Sequence, residues 1–343
     1  MIPHRWYAIL WARSLRRRPL GLQRLDRRLV LWRDARGRPA AALDRCPHRG
    51  AALSPGRVRE GELECPYHGF RFDARGACTR VPCDGEAARI SPALQLDRVA
   101  VREAHGLLWA WAGAAADAPP EVPWFDELPA DFRGDVRTSA VWPCHYTRAV
   151  ENFLDPHHVP FVHRRLTPGL GAPVSPCEAG IEGDRVWTRG RIGAGRRHGG
   201  FRFRLEVVVP GLALIEIHKA RAVATLAPVD GRRTWISVRY DQSYTRLPGI
   251  AQALSLLFYA FDWGLAQYQD RRVLRTVRPA AGSPHSSVLV RADRAIALWL
   301  GRRQELLQEL GKATGTPDAV DGFRSRSETR TLRAPSPRKE KPA

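Results

Sequence analysis

Short runs of alternating apolar and polar residues dominate positions 1 to about 112. Leu29-Val30-Leu31-Trp32 and the stretch Ala40 to Leu43 flank the turn-forming Asp34-Ala35-Arg36-Gly37, a pattern that predicts a β-hairpin. Phe70-Arg71-Phe72 running into Asp73-Ala74-Arg75-Gly76 repeats it, and Val99-Ala100-Val101 with Leu107 to Trp111 add further strands, so this part reads as a small all-β domain. The small and proline-rich segment Gly113 to Pro123 then marks a boundary. Beyond it the pattern predicts a helix around Glu151, followed by strands over Arg185–Arg189, Phe201–Val209, Leu212–His218, Ala222–Ala227 and Thr234–Tyr240. After Pro248 the period becomes helical. One long helix is expected over Ile250–Val277, and Ala292, Ala295, Ile296, Trp299, Leu306 and Leu310 mark another that ends before Gly311. The fold class is therefore α+β, with an all-β domain over 1–115, an α+β domain over 116–321, and a basic tail over 322–343 too poor in apolar residues to order itself.

Composition changes this picture little. At 343 residues with 44% hydrophobic and 26% charged residues, the chain can bury a sizeable core. The formal charge of +20 raises nucleic acid or anionic membrane as partners. Yet nearly every cation is arginine, scattered through helix-like and strand-like stretches alike, and no basic cluster with interleaved aromatics stands out. Nucleic-acid binding is not expected. The longest apolar stretch, Ile250 to Ala266, is interrupted by Gln252, Ser255 and Asp262, which predicts a buried or amphipathic helix and no transmembrane segment. Arg16-Arg17-Arg18 follows an apolar run instead of preceding one, the wrong order for export, so a reducing cytoplasm is the expected compartment.

Candidate chemistry sits first in Cys46-Pro47-His48-Arg49-Gly50 and Cys65-Pro66-Tyr67-His68-Gly69. Two cysteines and two histidines are the ligand set of a Rieske [2Fe–2S] cluster, and also a possible zinc set. Zinc sites favour like ligands in pairs, whereas here each loop mixes one thiol with one imidazole, which suits two irons that each take one ligand from each loop. The remaining cysteines, Cys78, Cys83, Cys144 and Cys177, read as ordinary reduced residues.

A second constellation, Asp155-x₂-His158-x₄-His163, lies in the α+β domain. Two imidazoles and one carboxylate on one face of a metal leave positions open, as in non-haem Fe(II) oxygenases. Five residues apart on an ideal helix, His158 and His163 would point about 140° apart, so the helix must break between them, and Pro160 is placed to break it. His157 competes with His158 on adjacency alone, and Asn152, one turn earlier, is a candidate for lining the same pocket.

The two boxes resemble those of the Rieske family, and the sequence as a whole resembles the oxygenase (alpha) subunit of Rieske non-haem iron oxygenases. The positions that carry a disulfide in Rieske proteins of respiratory complexes are Ala51 and Tyr67 here. The resemblance implies a [2Fe–2S] cluster on Cys46, His48, Cys65 and His68, and a helix-grip-like catalytic domain. It selects His158 with His163 as ligands of a mononuclear Fe(II). It places the third ligand on a late helix, in a stretch similar to Gln269-Asp270-Arg271-Arg272-Val273-Leu274, hence Asp270, with Asp262, Asp241 and Asp293 as lesser candidates. Asp155 is implied as a bridge from an iron histidine to a cluster histidine of a neighbouring subunit, in a homotrimer.

What the resemblance implies in function is an oxygenase that activates O₂ and hydroxylates or oxidatively demethylates a small organic, aromatic or cyclic, substrate. The alternatives are a ring cis-dihydroxylating dioxygenase and a Rieske electron-transfer protein. Gly193 to Gly199 fails the spacing of a dinucleotide-binding loop, so NAD(P)H would act only through a separate reductase, with or without a ferredoxin.

Overall fold

The computed structural model describes residues 1–85, 89–114, 119–128, 136–166, 177–193, 200–245 and 247–314. The boundary expected at 115/116 and the tail expected over 322–343 lie outside the described residues. Ten strands make up the N-terminal part: β1 (Trp6–Trp11), β2 (Leu20–Arg24), β3 (Arg27–Arg33), β4 (Pro39–Leu43), β5 (Arg57–Arg59), β6 (Glu62–Glu64), β7 (Arg71–Phe72), β8 (Cys78–Arg80), β9 (Val101–Ala104) and β10 (Leu107–Trp111). They form three antiparallel sheets, ordered β1-β10-β9, β2-β3-β4 and β5-β6-β7-β8. The hairpin expected around Gly37 is present, with Arg33 opposite Pro39 and Gly37 at a φ of 75° closing the turn.

The C-terminal part is one seven-stranded antiparallel sheet with helices on one face. Its strands are β11 (Val136–Trp142), β12 (Cys177–Glu182), β13 (Arg185–Ile192), β14 (Phe201–Val208), β15 (Leu212–Ile217), β16 (Ala220–Asp230) and β17 (Arg233–Gln242). The order is β11-β17-β16-β15-β14-β13-β12, so β11 closes against the last strand and the rest are nearest-neighbour hairpins. Helices α1 (Tyr146–Leu154), α2 (Val159–Val162), α3 (Pro248–Phe261), α4 (Gln267–Leu274) and α5 (Arg294–Thr314) complete the domain. Strands β11 and β12 lie outside the expected set, because their alternation is diluted by Arg, Thr, Ser, Glu and Gly.

Period-two alternation makes this sheet the partition of the molecule. Leu212, Leu214, Val223 and Trp235 point to one face, where they join Trp6, Tyr7, Trp109 and Trp111 of the N-terminal domain in one core. Ala213, Ala222, Ala224 and Ile236 point to the other, where they pack with Trp142, Tyr146, Val150 and Trp299 beneath the helices. A third core, with Val30, Trp32, Leu63 and Phe72, fills the N-terminal domain beneath Cys46 and Cys65. The two domains are thus fused through buried aromatic surface. Backbone bonds from Leu25 to Pro228 (2.7 Å) and Asp26 to Val229 (3.2 Å) seal the junction.

Three helix expectations need correction. The last helix does not stop before Gly311 but runs to Thr314; a lone interior glycine costs about 1 kcal/mol of helix propensity and does not by itself terminate a helix. The long helix ends at Leu274, short of Val277, and contains a π turn over Asp262–Ala266. Nor is its apolar stretch mostly buried: Ala251 and Ser255 are covered, while Ile250, Leu257, Phe261 and Leu265 are exposed. By length and composition alone, Pro248–Leu274 is long and apolar enough to cross a membrane.

Candidate metal centres

The two Cys/His boxes adopt one turn twice. In the first, the Cys46 N–H donates to the Ala51 carbonyl (2.8 Å) and the Gly50 N–H to the Cys46 carbonyl (2.9 Å). In the second, Cys65 donates to Phe70 (2.8 Å) and Gly69 to Cys65 (3.1 Å). Gly50 and Gly69 have φ of 76° and 71°, the left-handed conformation that closes each loop and that a β-carbon disfavours. The result is two finger-like loops, one after β4 and one after β6, facing each other. Their cysteines are buried in the third core, and their histidines lie at the surface side with ring centroids 4.8 Å apart. Phe70 stacks on His48 at 4.7 Å and Tyr67, well exposed, leans on His68 at 3.8 Å.

Burial pushes the Cys46 thiol up to about 11, with the neighbouring Cys65 adding to the rise. A thiol buried like Cys46 resists ionising without a cation, and iron would supply one. All six cysteines are free, Ala51 and Tyr67 offering no disulfide. The donor set and its inside-thiol, outside-imidazole arrangement fit a [2Fe–2S] cluster.

The second centre is assembled from α1, α2 and α4. Helix α1 ends at Leu154 because Pro156 forces Asp155 into an extended conformation (φ −98°, ψ 109°). Here the sequence expectation is corrected: the break falls at Pro156, not Pro160. Pro160 sits in the first turn of α2, where a missing N–H costs nothing. That single turn has His158 as its N-cap and His163 as its C-cap, closed by the His163 N–H to the Val159 carbonyl at 3.1 Å. The caps bring the two rings to 5.2 Å between centroids. Asp270 then reaches both from α4, its Oδ1 lying 3.4 Å from His158 Nε2 and 3.2 Å from His163 Nε2.

Among the described residues, these three side chains are the group whose donor atoms gather within 4.8 Å as metal ligands would. The fit is chemical as well as geometric. Asp270 is 6% exposed and its Oδ1 is buried without a hydrogen-bond partner among the described residues, an arrangement that a divalent cation between the three donors would satisfy. The lesser candidates are engaged elsewhere. Asp262 accepts bonds from Tyr240 Oη and Gln267 Nε2, both at 2.6 Å, Asp241 pairs with Arg221 at 2.5 Å, and Asp293 accepts the Val290 N–H.

Behind the histidines stand two further side chains. Asp155 accepts the His157 N–H at 2.7 Å through Oδ1, while its Oδ2 lies 3.4 Å from His158 Nδ1. Burial works against the charge on Asp155, but His158 and the His157 N–H outweigh it and hold the carboxyl below the usual range. Burial likewise opposes protonation of His158, and Asp155 and Asp270 together reverse that and raise its pKa. His157 itself does not join the ligand group, and Asn152 meets Asp155 through its carbonyl, which accepts the Asp155 N–H at 3.3 Å. The partner that sequence reasoning did not single out is Gln269, whose Oε1 lies 2.8 Å from His163 Nδ1. Gln269 opens the stretch in which Asp270 is expected, but nothing there announces its contact with a histidine 106 positions away.

Both candidate centres lie in segments of the chain that match known families. Residues 5–96 match the Rieske [2Fe–2S] domain family, and residues 142–309 match the vanillate O-demethylase oxygenase C-terminal domain family. The chain is 32% identical over 187 residues to the vanillate O-demethylase oxygenase subunit of Pseudomonas sp. (strain HR199 / DSM 7063), covering 53% of this chain and 51% of that protein. It is 38% identical over 160 residues to the dicamba O-demethylase oxygenase component of Stenotrophomonas maltophilia, covering 46% and 47%. Protein TIC 55 of Arabidopsis thaliana chloroplasts is 35% identical over 162 residues, 47% of this chain but 30% of that one. The chain thus spans only about a third to a half of the length of these relatives. In fold, it resembles crystalline dicamba monooxygenase bound to dicamba, with a TM-score of 0.73 and 22% identity over 91% of this chain and 99% of that one. It resembles the NdmA QL mutant of Pseudomonas putida CBB5 with caffeine at a TM-score of 0.74 and 24% identity, covering 90% and 92%. With a Rieske domain and a vanillate-demethylase-type domain on one polypeptide, the chain belongs to the family of Rieske non-haem iron oxygenase subunits.

Proposed function

We propose that this chain is the oxygenase component of a multicomponent system that uses O₂ to hydroxylate or oxidatively demethylate a small organic, aromatic or cyclic, substrate. The observation that carries this reading is the unpartnered Asp270 Oδ1 held between His158 Nε2 and His163 Nε2 in a chain that also carries a Rieske domain. Cys46, His48, Cys65 and His68 would hold the [2Fe–2S] cluster, and His158, His163 and Asp270 a mononuclear Fe(II). A ferrous ion on two imidazoles and one carboxylate supplies open coordination positions at which dioxygen and substrate chemistry takes place.

The chain's own groups prepare that place. Asp155 and Gln269 back the two imidazoles from behind, so the rings keep their Nε2 atoms inward. Val159, next to His158, packs against the buried Ile192, Phe203 and Leu205, so the histidine turn rests on apolar side chains. Asp155, one quarter exposed, is the group that would join this centre to a cluster histidine of a neighbouring subunit in a homotrimer. Electrons would come from NAD(P)H through a separate reductase, with or without a ferredoxin, in the cytoplasm. Relatives named for O-demethylation support one-atom insertion over cis-dihydroxylation.

The test is iron analysis after anaerobic reconstitution, followed by substrate-dependent O₂ uptake and ¹⁸O₂ labelling. The expected result is one iron beyond the cluster pair and one labelled atom in the product or the released one-carbon fragment. Two labelled atoms would make the protein a ring dioxygenase. Cluster iron alone, with no further ferrous ion, would reduce it to an electron carrier.

A further inference from the structure

Gln269 and Asp270 are consecutive residues on α4, yet they meet the same imidazole from two sides: Gln269 Oε1 lies 2.8 Å from His163 Nδ1 and Asp270 Oδ1 lies 3.2 Å from His163 Nε2. An amide oxygen can only accept, so the proton of a neutral His163 belongs on Nδ1 and the lone pair on Nε2 faces Asp270. His163 is 5% exposed, so the ring is largely shielded from water.

The helix is built to present this pair. Along an unbroken α-helix, Asp270 would sit about 80° round from Asp262. The π turn Asp262–Ala266 absorbs one residue without advancing the face, which cuts that angle to about 20°. Asp262, accepting from Tyr240 Oη on β17 and from Gln267 Nε2 at the start of α4, pins the turn to the sheet. Gln267 and Asp270, both buried, then share the inward face, with Gln269 beside them against the ring.

We propose that Gln269 is a positioning residue of the mononuclear centre: it fixes the tautomer and orientation of His163 so that Nε2 is available to a divalent cation. This rests on the reading of His158, His163 and Asp270 as the ligands. The test uses the full-length chain with its cluster in place and titrates Fe(II) anaerobically into the second site. Gln269→Leu removes the acceptor and is expected to weaken Fe(II) binding 10- to 100-fold, the range for a lost partner behind a ligating histidine. It should also broaden the EPR signal of the nitric oxide adduct, as the ring loses its fixed orientation. Gln269→Glu keeps an acceptor of the same length and is expected to bind within threefold of the parent, or tighter. The cluster EPR signal should be identical in both variants, which reports that the chain is folded. Gln269→Leu binding within twofold of the parent, or Gln269→Glu as weak as Gln269→Leu, would overturn the assignment. His163→Ala separates the two layers: if it binds Fe(II) like the parent, the ligand reading itself has failed.

Discussion

The two candidate metal centres of this protein are built on opposite plans. The cluster boxes are local: each is a five-residue loop closed by its own backbone bonds and its own left-handed glycine, repeated at Gly50 and Gly69. The mononuclear centre is distributed. Its donors come from a one-turn helix and from a helix that follows the whole sheet, and the two imidazoles have Asp155 and Gln269 behind them. A local site is set by spacing and turn chemistry, whereas a distributed one exists only once the sheet has brought α2 and α4 together. The two therefore differ in what can break them.

The sharpest way to separate them is His158→Ala. It is expected to abolish Fe(II) at the second centre and all oxygenation, while the visible and EPR signatures of the cluster stay at parent intensity. Loss of the cluster signal in that variant would show that the two regions are not independent. Next in size is Asp155→Asn, which should leave both metals at full occupancy and slow single-turnover oxidation of the cluster roughly 10- to 100-fold, the range for a displaced partner of a ligand. Unchanged single-turnover rates would remove Asp155 from any connecting role.

A third effect should appear only on the distributed side, through the helix that leads into it. His145 is the N-cap of α1, its Nδ1 accepting the Thr147 N–H at 3.3 Å. Burial, with the N-terminal ammonium, Arg303 and Arg148 adding to it, pushes its pKa down to about 4. The folded state therefore keeps it neutral while the unfolded chain takes up a proton near pH 6.5. Its contribution is fully present above that pH and is lost as pH falls towards 4, on the order of 2–3 kcal/mol over the window. Urea denaturation at pH 7 and pH 4.5 should register this loss, and His145→Asn, which retains a capping acceptor, should flatten it. The smallest effect belongs to the local side. Gly50→Ala meets no atom nearer than Arg45 Nε at 3.6 Å, so only the backbone conformation opposes it, at about 1–2 kcal/mol. Thermal denaturation should shift by a few degrees with the cluster retained.

Much of this molecule can be read without coordinates. The alternation around Leu29–Trp32 and Ala40–Leu43 anticipates the hairpin, and strands β13 to β17 follow from the period-two pattern of their residues. Cys46, His48, Cys65 and His68 stand out as candidate ligands because each Cys/His pair lies within a few residues of sequence. Asp155, His158 and His163 stand out by spacing, and the structure brings the two histidines and Asp270 together. The position of the break did not follow from spacing: Pro160 looks like a helix breaker, but in a first turn it is harmless, and Pro156 ends α1. How the two domains pack did not follow from the pattern either: they share a core of Trp6, Trp111, Leu214 and Trp235.

By itself, then, the sequence determines the class of both folds and points to the two Cys/His loops and to the histidines after Asp155 as candidate ligands, all features carried by neighbours a few residues apart. The resemblance points to Asp270 ahead of Asp262, and tertiary structure shows it facing those histidines; tertiary structure alone decides that Gln269 stands behind His163 and that a π turn aligns them. The physical reason is range. Hydrogen-bond geometry and side-chain alternation act over a handful of residues, but which carboxylate is left without a partner depends on how a sheet and its helices close over more than a hundred.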